Sequence, residues 1–170
     1  MTADNERQCD WVDSLWKDTV ERYFSDFICF FFPQAYEEID WSQGYEFLDE
    51  ELQQVVRDAE WGWRFVDKLV KIWRTGTQEE WLLVHVEVQS QEESNFAERM
   101  FVYLYRIYDR FRRTVVSLAV LGDTRATWRP NQFSYSLWGS EVSFRLAIVK
   151  LLDYQQQWTI NCCAITSQFT

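Results

Sequence analysis

The chain has 170 residues, enough for one domain with its own core. With 47% hydrophobic and 18% aromatic residues but only 5 Gly and 2 Pro, it is neither disordered nor collagen-like. A formal net charge of −10 argues against a nucleic-acid binder that works by bulk charge. That charge is uneven. Residues 1–60 hold 16 acidic and 4 basic side chains, whereas residues 61–170 hold 11 acidic and 13 basic.

No stretch reads as a membrane span: the most apolar run, Phe27 to Phe32, ends at Pro33 and falls far short of the roughly 20 residues a helix needs. The N-terminus is polar and acidic, unlike a signal peptide. The four cysteines, at 9, 29, 162 and 163, form no CxxC pair, so a zinc site or disulfide framework is not expected and a cytoplasmic location is.

In chain order, Leu15, Trp16, Val20, Tyr23, Phe24, Phe27, Ile28 and Phe31 recur at helical spacing and predict a first helix from Asp13 to Phe32, ended by Pro33. Residues 34–62 are irregular and acidic, with a short helix or strand near Phe47–Val56. The period then changes to two. Phe65–Trp73 and Trp81–Gln89 read as strands joined across Thr75-Gly76-Thr77 in an antiparallel hairpin. Helical spacing returns from Phe96 to Arg113, and the apolar run Val115–Leu121 reads as a buried strand after its crossover helix. A weaker strand is predicted at Phe144–Leu152. The expected class is α/β, a mixed sheet in one domain spanning 1–170.

Alternation puts Val84, Val86 and Val88 on one face of the second strand and Leu83, His85, Glu87 and Gln89 on the other. A carboxylate in so apolar a strand is costly unless its charge is compensated. Asp67 in the neighbouring strand offers a second carboxylate, and a hard divalent cation between the two would relieve their repulsion. The competing reading has Asp67 paired with Lys68 or Lys71 and Glu87 facing water. His85, the single histidine, reads as a ligand, a general base or a hydrogen-bonded orienter. On the following helix, Arg99, Arg106, Arg110 and Arg113 fall near one line. Met100, Phe101, Leu104, Ile107, Tyr108 and Phe111 gather opposite, which predicts a sheet-facing apolar side and an outward arginine stripe. Arginine suits phosphate because its planar fork donates two hydrogen bonds at once; a solvated face paired with the acidic N-terminal region is the alternative. A thiol nucleophile, Cys162 or Cys163 with His85, has no supporting signature.

The strings Phe65-Val66-Asp67-Lys68-Leu69-Val70-Lys71, His85-Val86-Glu87-Val88-Gln89-Ser90-Gln91, Glu98-Arg99-Met100-Phe101-Val102-Tyr103 and Val116 to Gly122 together resemble the recombination-promoting nuclease (Rpn), transposase-like family of the PD-(D/E)XK nuclease superfamily. The resemblance runs from the first helix to about Tyr154. It implies a restriction-endonuclease-like αβββαβ core and a metal-dependent DNA endonuclease, a hydrolase of mobile elements acting in DNA recombination. It implies that Asp67 and Glu87 are the motif carboxylates and hold Mg2+ or Mn2+ with the carbonyl of Val88. Gln89, where much of the superfamily has Lys and this family Gln, would orient water or phosphate. Lys71 and the arginines at 99, 106, 110 and 113 would contact DNA, and a homodimer is compatible with it. Asp13 or Glu21 stands for the family's first-helix carboxylate. The stretch Asn161 to Ser167 departs from the longer C-terminal helical region of such proteins, so a truncated element copy, a silent relic that only binds, is the rival expectation.

Overall fold

The strand Trp81–Gln89 is apolar at almost every position, as strands covered on both faces are, and the rest of the architecture is arranged around it. The computed structural model describes residues 15–16, 18–57, 68–76 and 81–154. Its elements run as follows: helical residues 18–22, α1 (Phe24–Phe31), α2 (Pro33–Glu38), β1 (Tyr45–Phe47), α3 (Asp49–Arg57), β2 (Lys68–Trp73), β3 (Trp81–Gln89), α4 (Phe96–Phe111), β4 (Val115–Leu121), β5 (Gln132–Leu137), β6 (Ser140–Arg145) and β7 (Ala147–Lys150). Five strands form one sheet in the order β1-β2-β3-β4-β7, and β5 and β6 form a separate ribbon. β1, β2 and β3 are mutually antiparallel, while β3–β4 and β4–β7 are parallel. The protein is therefore a mixed α/β structure.

Period-two alternation divides the sheet into two cores. Val70, Ile72, Val84, Val86, Val88, Leu118 and Val120 face Val20, Phe24, Phe27 and Ile28 of the N-terminal helices. On the other face, Leu69 and Leu83 meet Tyr103 and Ile107 of α4 and Leu52 of α3, and Ala119 and Leu121 meet Phe96 and Met100. Both cores are aromatic-rich, and Phe24 alone touches the rings of Trp41, Tyr45 and Phe47.

Most of the expected order is present, with differences that have physical causes. Pro33 ends α1 but also starts α2, because proline suits a first helical position, where the backbone N–H needs no partner. The helix predicted to reach Arg113 stops at Phe111, where Arg112 turns left-handed (φ 51°) and returns its N–H to the Tyr108 carbonyl. The predicted strand at Phe144–Leu152 is two strands, β6 and β7, separated at Leu146. Residues 65–67 of the expected strand Phe65–Trp73 lie outside the described residues, as do Asp13, Cys162, Cys163 and the tail from 155. No helix among the described residues is long and apolar enough to cross a membrane.

A buried ion pair fixes the loop after β4. The Lys150 ammonium in β7 donates to both oxygens of Asp123, each at 2.7 Å, and to the Trp128 carbonyl at 3.0 Å. Removing one partner of such a pair strands the other charge away from water. Lys150→Met is therefore expected to destabilise the fold by about 3–5 kcal/mol in urea titration, and a Lys150→Met/Asp123→Leu double variant to recover much of that loss.

Candidate functional site

β3 carries His85, Glu87 and Gln89 on the face covered by α4, and all three side chains are buried. α4 answers with Arg99. Its apolar spacing of Phe96, Met100, Tyr103 and Ile107 forms the inward stripe, and Arg99 is buried at the border of that stripe. Glu87 and Arg99 are each only 1% exposed. One nitrogen of the guanidinium, Nη2, donates to Glu87 Oε1 at 3.0 Å and to Gln89 Oε1 at 2.9 Å, and stands 3.3 Å from Glu93 Oε2. The other end of the Gln89 amide donates to the Gln91 carbonyl at 2.7 Å. The rings of Phe96 and Tyr103 flank the guanidinium at 5.3 and 5.5 Å.

Burial alone would push the Arg99 guanidinium down. The carboxylates of Glu87 and Glu93 and a hydrogen bond with Tyr103 outweigh it and hold the group above the ordinary arginine value, so it is charged. His85 behaves oppositely. Burial first, and the Arg99 charge second, push its imidazole down from 6.5 to about 3. It is neutral near pH 7, and its ring meets Tyr103 edge-on at 5.7 Å between centroids. Fully enclosed, it is not placed to exchange protons with solvent as a general base. Ser117, opposite His85 in the β3–β4 register, has a buried hydroxyl with no hydrogen-bond partner among the described residues.

The structure brings together Glu87, Gln89 and Arg99 and disperses several other expected residues. Arg99 is not on an outward stripe. It lies on the border of the helix's apolar face, and the Glu87 carboxylate draws it inward because a buried charge needs a counter-charge. Arg106 is half-buried and Arg110 exposed, bonded through Nη2 to Gln54 Oε1 of α3 at 2.8 Å. Arg113 lies beyond the end of α4, its guanidinium 4.6 Å from the Trp81 ring. Tyr108, expected against the sheet, is exposed, and Phe101 packs instead on Phe133 and Phe144 of the β5–β6 ribbon. Lys71 reaches across to Glu46 at 3.3 Å and lies over the rings of Trp73 and Trp81. The Val88 side chain belongs to the opposite core. Glu21, a candidate first-helix carboxylate, accepts from the buried Lys68 ammonium at 2.8 Å, and Asp49 binds the same ammonium. Asp67 lies outside the described residues. Glu93, Tyr103 and Ser117 belong to the cluster and were not singled out from sequence. Tyr103 and Arg99 share the i, i+3, i+4, i+7 spacing of Phe96 and Met100, which was the available signal.

The donor set fits a hard divalent ion in kind, since Glu87 and the Val88 carbonyl offer oxygen. Arg99, however, already supplies the positive charge at Glu87. No group of three or more His, Cys, Asp or Glu side chains able to hold a metal occurs among the described residues. Compared with family models, curated proteins and solved structures, the chain matches none. The family resemblance thus rests on the motifs themselves.

The neutral His85 makes stability depend on pH. Between about 6.5 and 3 the unfolded chain binds the imidazole proton and the folded chain does not. The contribution of His85 is therefore complete above about 6.5 and is lost as pH falls, at up to about 1.4 kcal/mol per pH unit. Urea melts of wild type and His85→Gln, compared at about pH 7 and about pH 5, should show a steeper acid loss in wild type.

Proposed function

We propose that the protein is a metal-dependent DNA endonuclease of the PD-(D/E)XK type, and the observation that carries this reading is the placement of Glu87 and Gln89. They stand two residues apart on one face of the central strand, clasped by a single guanidinium from the helix between β3 and β4. The order of elements supports it as well. Strands β1, β2 and β3 are antiparallel and β4, after the crossover helix α4, is parallel to β3, as in the αβββαβ core that the motif resemblance implies, with the additional helix α3 inserted between β1 and β2.

In this reading Asp67, Glu87 and the Val88 carbonyl hold Mg2+ or Mn2+. When bound, the ion would lower the pKa of a water and offset charge on the scissile phosphate. The chain's own residues do the rest. Gln89, a neutral amide, orients water or phosphate but can neither carry positive charge nor act as a base. Arg99 gives the buried Glu87 carboxylate a counter-charge and fixes its direction. Arg110 and Arg113, both exposed, would meet the phosphate backbone, which positions DNA without reading its sequence. The excess of acid in residues 1–60 weakens this binding, and the arginine–phosphate contacts make it salt-dependent. A second reading, a non-catalytic DNA-binding relic, is favoured by the same Arg99 contact, because that contact gives Glu87 a counter-charge without an ion.

Supercoiled plasmid incubated with the full chain and Mg2+ should be nicked or linearised. Chelation should abolish cleavage, and Asp67→Asn or Glu87→Gln should slow it by at least about a hundredfold. Salt-sensitive DNA retention without cleavage under any divalent ion would establish the relic reading instead. Cleavage that survives Glu87→Gln would overturn the site.

A further inference from the structure

The β5–β6 ribbon stands apart from the main sheet and is anchored at its base, where Phe133 and Phe144 pack against Phe101 of α4. Its tip is a two-residue turn, Trp138-Gly139, with both residues at positive φ (52° and 83°), the turn geometry that matches strand twist in hairpins. Toward that tip the ribbon is uncovered: Tyr135, Leu137 and Trp138 are 54%, 60% and 96% exposed. A two-stranded ribbon with open edges is marginal by itself, and an unpaired edge is a template for another strand.

The free edge of β6 has a particular chemistry. Leu146 N–H donates to the Asn131 carbonyl at 3.1 Å, which extends the β5–β6 register by one pair and sets its parity. Ser140, Val142 and Phe144 turn their main-chain groups toward β5, and Glu141, Ser143 and Arg145 turn theirs outward. Those three residues are exposed, and neither Glu141 nor Arg145 has an ion-pair partner among the described residues. Charges at an edge normally repel a second strand. Here they are opposite in sign and symmetric about Ser143, so they repel a parallel copy and attract an antiparallel one.

We infer that β6 pairs with β6 of a second copy of this chain, antiparallel about Ser143, to form a four-stranded sheet with two-fold symmetry. Every outward main-chain group of Glu141, Ser143 and Arg145 then finds a partner. Glu141 of each copy lies across from Arg145 of the other, and Val142 across from Phe144. The same register carries each Trp138 tip toward the start of β7 in the second copy, where Ala147 is exposed and Ile148 half-buried. The interface is isologous, so it closes at a dimer and does not propagate. It is independent of the proposed nuclease site.

Sedimentation equilibrium of the full chain tests this. Wild type should be a dimer at micromolar concentrations. Glu141→Arg and Arg145→Glu, each placing like charges across the axis, should each weaken the dimer roughly tenfold or more. Ser143→Pro, which removes an outward N–H without touching the β5 pairing, should also dissociate it. The E141R and R145E proteins mixed in equal amounts should form a heterodimer, since each supplies the charges the other needs. Circular dichroism matching wild type will show that the variants fold. A wild-type chain that stays monomeric at about 100 times those concentrations overturns the proposal. So does a dimer that survives all three substitutions, or variants that do not associate when mixed.

Discussion

A carboxylate buried in the middle of a sheet cannot stay charged without a counter-charge, and in this protein Arg99 supplies one to Glu87. The strand bearing Glu87 is covered on both faces, so water cannot serve. The cation must come from the layer above, and it comes from the helix that connects β3 to β4. This contact ties the face of the sheet to the rotation of α4. If the helix turned by one residue, Arg99 would leave the carboxylate and Phe96, Met100, Tyr103 and Ile107 would leave the core together.

The same logic recurs at the other buried cations. Lys68 of β2 binds Glu21 from the N-terminal helix and Asp49 from the first turn of α3. Lys150 of β7 binds Asp123 from the loop after β4. In each case one charge lies on a strand and its opposite on a helix or loop, so the pairs join layers. Hydrophobic burial has no preferred direction, and many slightly shifted packings would bury similar area. A buried ion pair tolerates far fewer, because a displaced partner leaves a charge unpaired.

At the candidate site this arrangement has a functional side. The guanidinium that compensates Glu87 also donates to the Gln89 amide oxygen and approaches Glu93, so the residues with catalytic potential are held as a group. His85 sits behind them, neutral and enclosed, and lends shape to the cluster without carrying charge. The β5–β6 ribbon is a different kind of device. Its free edge is polar, exposed and self-complementary, and it depends on the cluster only through α4, against which both rest.

The elements whose pattern is local are legible in the order of the residues. Alternation assigned the two faces of β3, and helical spacing found α4. The continuous apolar run of β4 showed that it is buried, and the position of Glu87 in an apolar strand announced that a compensating charge was needed. What supplies that charge was decided only in the tertiary structure. Arg99 lies at the border of two faces on a helical projection, and a projection has no knowledge of the carboxylate across the interface; the energy of an unpaired buried charge settled its direction. The same holds for Lys71, drawn to Glu46 across the β1–β2 pairing, and for Lys68, held by acids 47 and 19 residues away. The β5–β6 ribbon escaped the period-two reading because its faces are mostly solvated and its turn is marked by Trp-Gly in place of Asn-Gly. Local periodicity records which residues leave water, but the pairing of charges between distant segments is a property of the folded arrangement, since Coulomb energy depends on distance in space and not along the chain.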